Sequence, residues 1–163
     1  MVLGMSLASY TILHVIICFL AIGSGFIVLF GLLSGKLLSP WDGFFLITTV
    51  LTSVTGFLFP YTKVTPGIIL GILSMIVLVI AIAALYIFHL DGGWRRTYAI
   101  TALMALYFNL FALVAQTFEH VPAIHALAPT GTEMPFKLAQ LTLLILTVIF
   151  ITIAAKRFRN PSA

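Results

Sequence analysis

Residues 67–88 read GIILGILSMIVLVIAIAALYIF, an uncharged apolar run that decides the fold class. A bilayer core about 30 Å thick needs roughly 20 helical residues at about 1.5 Å each, so a run of this kind predicts a membrane-spanning helix. Working outward, comparable runs cover about residues 6–33, 43–59, 97–118 and 136–155. The run over 43–59 is the shortest, at the lower limit of about 17 residues for a crossing. It is bounded like a span, by Pro40-Trp41-Asp42 before it and Pro60-Tyr61-Thr62-Lys63 after it. Strands of about ten residues with alternating apolar and polar character, the mark of a membrane barrel, do not occur. The sequence therefore predicts an all-α integral membrane bundle of five transmembrane helices, forming a single domain over residues 1–163.

Composition points the same way. Apolar residues make up 62% and charged residues 7% of the chain, and the mean hydropathy is +1.23. Soluble domains carry about 25% charged residues, so this chain has too few to cover a water-facing surface. The formal charge of +4 is not read as a nucleic-acid footprint, because the charges are divided among the connections between spans. Threading five spans puts Lys36, Asp42, Asp91, Arg95, Arg96, Lys156, Arg157 and Arg159 on one side, and Lys63, Glu119, Glu133 and Lys137 on the other. Lys and Arg accumulate in cytoplasmic connections, so the bias predicts a cytoplasmic C-terminus and an N-terminus outside. Met1 to Tyr10 carries no Lys or Arg, which favours a retained first helix over a cleaved signal peptide. Trp41 and Trp94 sit beside the basic side, as interfacial aromatics do.

Within the spans, the fourth carries the clearest polar pattern. At about 100° per residue, Asn109, Gln116 and His120 project within about 40° of one another, with Glu119 at the edge of the stripe and Ala102, Ala105 and Ala112 beside it. Polar groups at membrane depth are costly and normally face the bundle interior or a water-filled cavity. The bland reading is interhelical hydrogen bonding at about 0.6 kcal/mol per contact. On the first span, His14, Cys18, Ala21 and Gly25 share a narrow face, and His14 is an ionisable group well inside an apolar run. The topology places His14 in the same membrane half as Gln116, Glu119 and His120, and as His125 and Glu133 in the proline-rich segment 120–135. These residues form the expected ligand or proton site: His14, Asn109, Gln116, Glu119, His120 and His125. His89 and Asp91 fall at the opposite end and are poor partners for His14. The lone Cys18 cannot close an intramolecular disulfide, and its bland reading is a small residue in a helix interface. Gly25, Thr52, Gly67, Gly71 and Ser74 are expected to let helices approach closely.

The stretches Leu13-His14-Val15-Ile16 and Ala21-Ile22-Gly23-Ser24-Gly25 resemble the opening helix of small bacterial integral-membrane proteins of unknown function. Gly92-Gly93-Trp94-Arg95-Arg96-Thr97-Tyr98 is similar to a later turn of theirs, with Trp94 standing where they often carry histidine. The resemblance implies a helical bundle in the bacterial cell inner membrane and transfers no catalytic residue.

Three functional classes follow. The favoured one is a small transporter, channel or proton-responsive protein using the outer-half polar site. The second is a redox protein holding haem b between His14 and His120, or a quinone against the polar stripe. The third is a non-catalytic accessory subunit, packing as a homo-oligomer or within a larger membrane complex. Enzymatic chemistry is the least favoured, since no HExxH, G-x-S-x-G or phosphate-cradling loop occurs. A metal site from Glu119, His120 and His125 lacks a specific ligand spacing.

Overall fold

The chain is helical in the computed structural model, which describes residues 2–159. Helix α1 spans Leu7–Leu33, α2 Ser39–Phe57, α3 Pro66–Ile82, α4 Trp94–His120, α5 Pro122–His125 and α6 Met134–Arg157, and a π-helical turn at Ala83–Ile87 prolongs α3. Four helices are long and apolar enough to cross a membrane: α1, α3 with its π turn, α4 and α6. The sequence expectation of five is thus carried by length and composition for four. Helix α2 has 19 residues, but Asp42, two serines and four threonines dilute its hydropathy.

The same helix corrects a boundary. It begins at Ser39 rather than near residue 43, because Pro40 presets the first turn and the Asp42 carboxylate accepts from the Leu38 N–H at 2.8 Å. Asp42 therefore belongs to a helix and not to a connection. Helix α4 likewise starts at Trp94 and takes Arg95 and Arg96 into its first turn. The proline-rich segment contains one short helix, α5, where continuous helix was not expected.

Side-chain pairings give the helix directions. Tyr10 meets Thr55, and Leu38 crowds Gly31, so α1 and α2 are antiparallel. Phe57 crowds Gly71 and Tyr86 approaches Gly43, so α2 and α3 are antiparallel. Phe118 packs on Phe136 and Tyr98 faces Phe158, so α4 and α6 are antiparallel. One end of the bundle thus gathers residues 34–42, 88–96 and 156–159, and with them six of the eight Lys and Arg.

Helix α2 has the polarity of a soluble helix turned inside out. Asp42, Thr48, Thr49 and Ser53 are buried, whereas Phe44, Ile47, Leu51, Val54 and Phe57 are exposed. Water as solvent would reward the opposite arrangement; lipid rewards this one, because polar groups find partners only inside the bundle. Alanines on α4 make the close approach possible: Ala99, Ala102 and Ala105 are all fully buried, in one core cluster with Phe45, Leu32 and Leu78.

The basic end is tied together by the turn that ends α6. Phe158 is fully buried, Arg95 donates to its carbonyl at 3.0 Å and the guanidinium lies 4.2 Å from its ring centroid. Arg157 donates to the Leu33 carbonyl at 2.9 Å. At the end of α1, Gly35 takes φ +72° with the Arg157 carbonyl 3.3 Å from where a Cβ would stand, so glycine suits both conformation and space. After the π turn, His89 and Leu90 hold φ of 46° and 60°. Left-handed conformation costs non-glycine residues about 1–2 kcal/mol each. Burial of Leu90 and the stacking of Phe88 on Trp94 at 3.8 Å offset it.

Candidate functional site

The threonines of α2 organise the polar interior. Towards α1, the Thr55 hydroxyl donates to the Leu51 carbonyl at 2.6 Å, and His14 Nδ1 lies 2.7 Å from the same oxygen. The hydroxyl has one proton and it is committed to the carbonyl, so His14 Nδ1–H is the donor. The neutral ring then carries its lone pair on Nε2, which faces Cys18 Sγ at 3.5 Å. Thr52 stands beside that sulfur. Tyr10 donates its hydroxyl to the Thr55 carbonyl at 2.8 Å. Phe59 closes the group edge-on, with its centroid 5.0 Å from Tyr10 and 5.3 Å from His14.

Towards α4, Asn109 donates to the Thr49 hydroxyl at 3.2 Å in the buried middle of the bundle. At the basic end, Asp42 is 1% exposed, accepting from the Tyr98 hydroxyl on one oxygen and from Leu38 N–H on the other. No salt bridge reaches it among the described residues. The Tyr86 hydroxyl of the π turn lies 3.0 Å from where a Cβ on neighbouring Gly43 would stand.

The expected site is divided by this arrangement. His14 points into the α1–α2 seam. Gln116, Glu119, His120 and His125 are exposed around the end of α4. His120 Nδ1 is 3.2 Å from the Gln116 carbonyl, and His125 Nδ1 is 3.0 Å from the Phe118 carbonyl. Among the described residues, no hydrogen bond joins His14 to any of these. The stripe on α4 thus separates into a buried member, Asn109, and three exposed ones. No three side chains of the His, Cys, Asp and Glu type come together as a metal group among the described residues. His14 and His120, the pair weighed for haem, face different surroundings, so they do not form a shared axial slot.

Glu133 caps the start of α6 and orders the segment before it. Its carboxylate accepts from Thr130 N–H at 3.1 Å, from the Thr130 hydroxyl at 2.9 Å and from Thr132 N–H at 3.0 Å. Desolvation pushes this carboxyl up, but the hydrogen bonds together outweigh it and hold the group below the ordinary glutamate value.

Of the packing positions, Gly25 is the tightest: a Cβ there would come within 2.6 Å of Leu106 and 2.9 Å of Phe45. Gly71 is similarly close to Phe57, at 2.6 Å. Ser74 is buried with its hydroxyl unpartnered. Gly67 is exposed, with only Thr65 within 4 Å of its would-be Cβ. Two apolar clefts lie elsewhere on the bundle. One of about 210 Å³ lies between α1, α4 and α6, lined by Phe26, Leu103, Tyr107, Leu143, Thr147 and Phe150 among others. A second of about 350 Å³ lies along α2 and α3, with Tyr86 on its rim. Neither touches Asn109, Gln116 or His14, so a quinone in either would not meet the α4 stripe.

Sequence reasoning singled out His14 but grouped it with the end of α4, whereas its hydrogen-bond partners are Thr55 and Cys18. Thr49 was not singled out in the sequence, and Asp42 was read as a connecting residue. The available signal was the high density of hydroxyl residues on α2. No family model, curated protein or solved structure matches the chain.

Proposed function

We propose that the chain is a five-crossing protein of the cell inner membrane, with α2 as the fifth crossing, and that it responds to or carries protons through the polar seam along α2. The observation that carries the reading is that seam itself. It has an ionisable group near each end, Asp42 and His14, each turned into the bundle and each without a charged partner among the described residues. Threonines and Asn109 lie between them. Intramembrane ionisable groups mark proton and ion pathways in membrane proteins, and histidine changes charge between about pH 5 and 8.

The five-crossing topology is supported by the inside-out polarity of α2 and by its length, about 28 Å at the helical rise. The clustering of basic residues at one end supports a cytoplasmic C-terminus and an N-terminus outside. On this topology His14 lies in the outer half and Asp42 near the inner surface.

Two measurements test the reading. In a Cys18→Ser background, an impermeant maleimide applied to intact cells labels Thr62→Cys and spares Ser34→Cys; equal labelling of both, or the reverse pattern, sinks the topology. In proteoliposomes carrying a pH-sensitive dye, proton flux, or a pH-dependent tyrosine fluorescence change, is lost in Asp42→Asn and in His14→Gln. If both variants match the wild type at every pH, the proton reading fails.

A further inference from the structure

Charge is unequal at the two ends of the bundle. Lys63 and Lys137 at one end are matched by Glu119 and Glu133, so the formal net charge of +4 belongs wholly to the other, where six bases stand against Asp42 and Asp91. Asp42 is buried and committed to Tyr98 and Leu38. Two of the six bases are engaged within the fold: Arg95 donates to the Phe158 carbonyl at 3.0 Å, and Arg157 to the Leu33 carbonyl at 2.9 Å. With Gly35 set against the Arg157 carbonyl, these bonds hold the end of α1, the start of α4 and the end of α6 together. Lys36, Arg96 and Lys156 each adjoin one of the pinned residues in sequence, and all three are exposed. None has a carboxylate within salt-bridge distance among the described residues. The fold thus gathers three like charges around one point. Beneath them, the cleft of about 210 Å³ lies between the same three helices, and apart from Tyr107 and Thr147 its lining is wholly apolar. Leu103 is seven residues along α4 from Arg96, and Phe150 is six before Lys156 on α6. The cleft therefore begins about 10 Å below the cations, and Leu110 and Leu143 carry it to about 20 Å. That is the depth of the acyl chains in one leaflet of a bilayer core about 30 Å thick.

We infer that the basic end and this cleft together bind one anionic phospholipid, its phosphate held by Lys36, Arg96 and Lys156 and one acyl chain lying between α1, α4 and α6. Head and tail have separate physical grounds. Basic residues at the ends of membrane helices attract anionic headgroups, by about fivefold in affinity for each Lys or Arg. Arginine and lysine donors both form charge-assisted hydrogen bonds to phosphate oxygens. A zwitterionic headgroup brings its own ammonium towards the three cations and is disfavoured. Soluble phosphate has no chain for the cleft, and a neutral apolar molecule leaves the charges unmatched. An anionic phospholipid answers both features at the spacing the helices set.

The inference rests on the membrane reading of these helices, and not on proton flux or on the crossing of α2. The full chain in a neutral maltoside detergent is titrated with dioleoylphosphatidylglycerol or dioleoylphosphatidylcholine, and retained lipid is counted by native mass spectrometry. Wild type should hold one phosphatidylglycerol in preference to phosphatidylcholine, and the preference should fall as salt rises. Lys36→Gln, Arg96→Gln and Lys156→Gln should each weaken phosphatidylglycerol by about fivefold, and the triple variant should show no preference. Leu146→Trp, at an exposed residue of the cleft, fills it while leaving every charge in place, and should weaken phosphatidylglycerol several-fold. Far-ultraviolet circular dichroism verifies the fold of each variant. Equal retention of the two lipids by wild type overturns the site, as does an unchanged preference in the triple variant. Unchanged affinity in Leu146→Trp, or displacement of the lipid by equimolar inorganic diphosphate, also overturns it, the anion then binding without its chain. Flotation of wild type with phosphatidylcholine vesicles separates the two readings: protein that floats without a lipid preference loses this site alone, and protein that does not float loses the membrane reading with it.

Discussion

Tyr98 donates its hydroxyl to the carboxylate of Asp42, joining the first turn of α4 to the first turn of α2 at the basic end of the bundle. Both residues are almost wholly buried, at 0% and 1% exposed, and the second carboxylate oxygen is held by the Leu38 N–H. Removing one partner leaves the other buried and short of a hydrogen bond, which costs about 1–3 kcal/mol. Tyr98→Phe and Asp42→Asn should each lower stability by that amount in detergent. Because they break the same contact, the double variant should lose less than the sum, with a coupling of about 0.5–3 kcal/mol. Strict additivity in thermal or denaturant unfolding would show that the pair does not act as one unit.

Phe158 anchors the end of α6. It is fully buried, covered by the Arg95 guanidinium at 4.2 Å, and its carbonyl accepts from Arg95 Nε. Phe158→Ala should cost about 3–5 kcal/mol, the range for truncating a buried aromatic. Hydrogen exchange should rise at the end of α6 and around Leu33, which Arg157 caps. Exchange confined to residue 158 itself would contradict the docking.

Two glycines two residues apart on α1 make a paired test. A methyl at Gly25 would stand 2.6 Å from Leu106 and 2.9 Å from Phe45, whereas one at Gly23 meets nothing within 4 Å. Gly25→Ala should destabilise by about 1–3 kcal/mol through overpacking. Gly23→Ala should be neutral or stabilising by less than about 1 kcal/mol, as alanine replaces glycine in a helix. Equal melting temperatures for the two variants would remove the close contact of α1 with α2 and α4.

Glu133 supplies a pH dependence. Its folded value is held below the ordinary one of about 4.3, so its contribution to order is complete above that value and is lost as pH falls through the folded value. Protection of the Thr130 and Thr132 amides, relative to their intrinsic exchange rates, should fall on acidification below about pH 4. In Glu133→Gln the same amides should be less protected at neutral pH and lose this acid response. A flat acid profile in the wild type would show that the carboxylate does not hold the turn.

Much of the bundle was legible in the sequence because lipid imposes a simple rule on length and polarity. Apolar runs long enough to cross, and charges confined between them, located α1, α3, α4 and α6 within a few residues of their observed bounds. Helix α2 was harder to read. Its boundary depended on Asp42 accepting a backbone N–H, and the burial of its hydroxyl-bearing side chains shows only in the folded chain. The candidate site was legible only as a set of residues. Helical periodicity says which side chains share a face of one helix, so it grouped His14 with Cys18, and Asn109 with Gln116 and His120.

What the sequence determined by itself was an α-helical chain with runs long and apolar enough to cross a membrane, and basic residues gathered between particular runs. Tertiary structure alone decided the partners. It turned His14 towards Thr55 and away from the end of α4, gave Asn109 to Thr49, and paired Asp42 with Tyr98. The physical reason is range. Hydropathy and helical period are properties of neighbouring residues. A hydrogen bond between helices 41 to 60 residues apart in sequence depends on how alanines and glycines let those helices approach and rotate, and no local pattern records that.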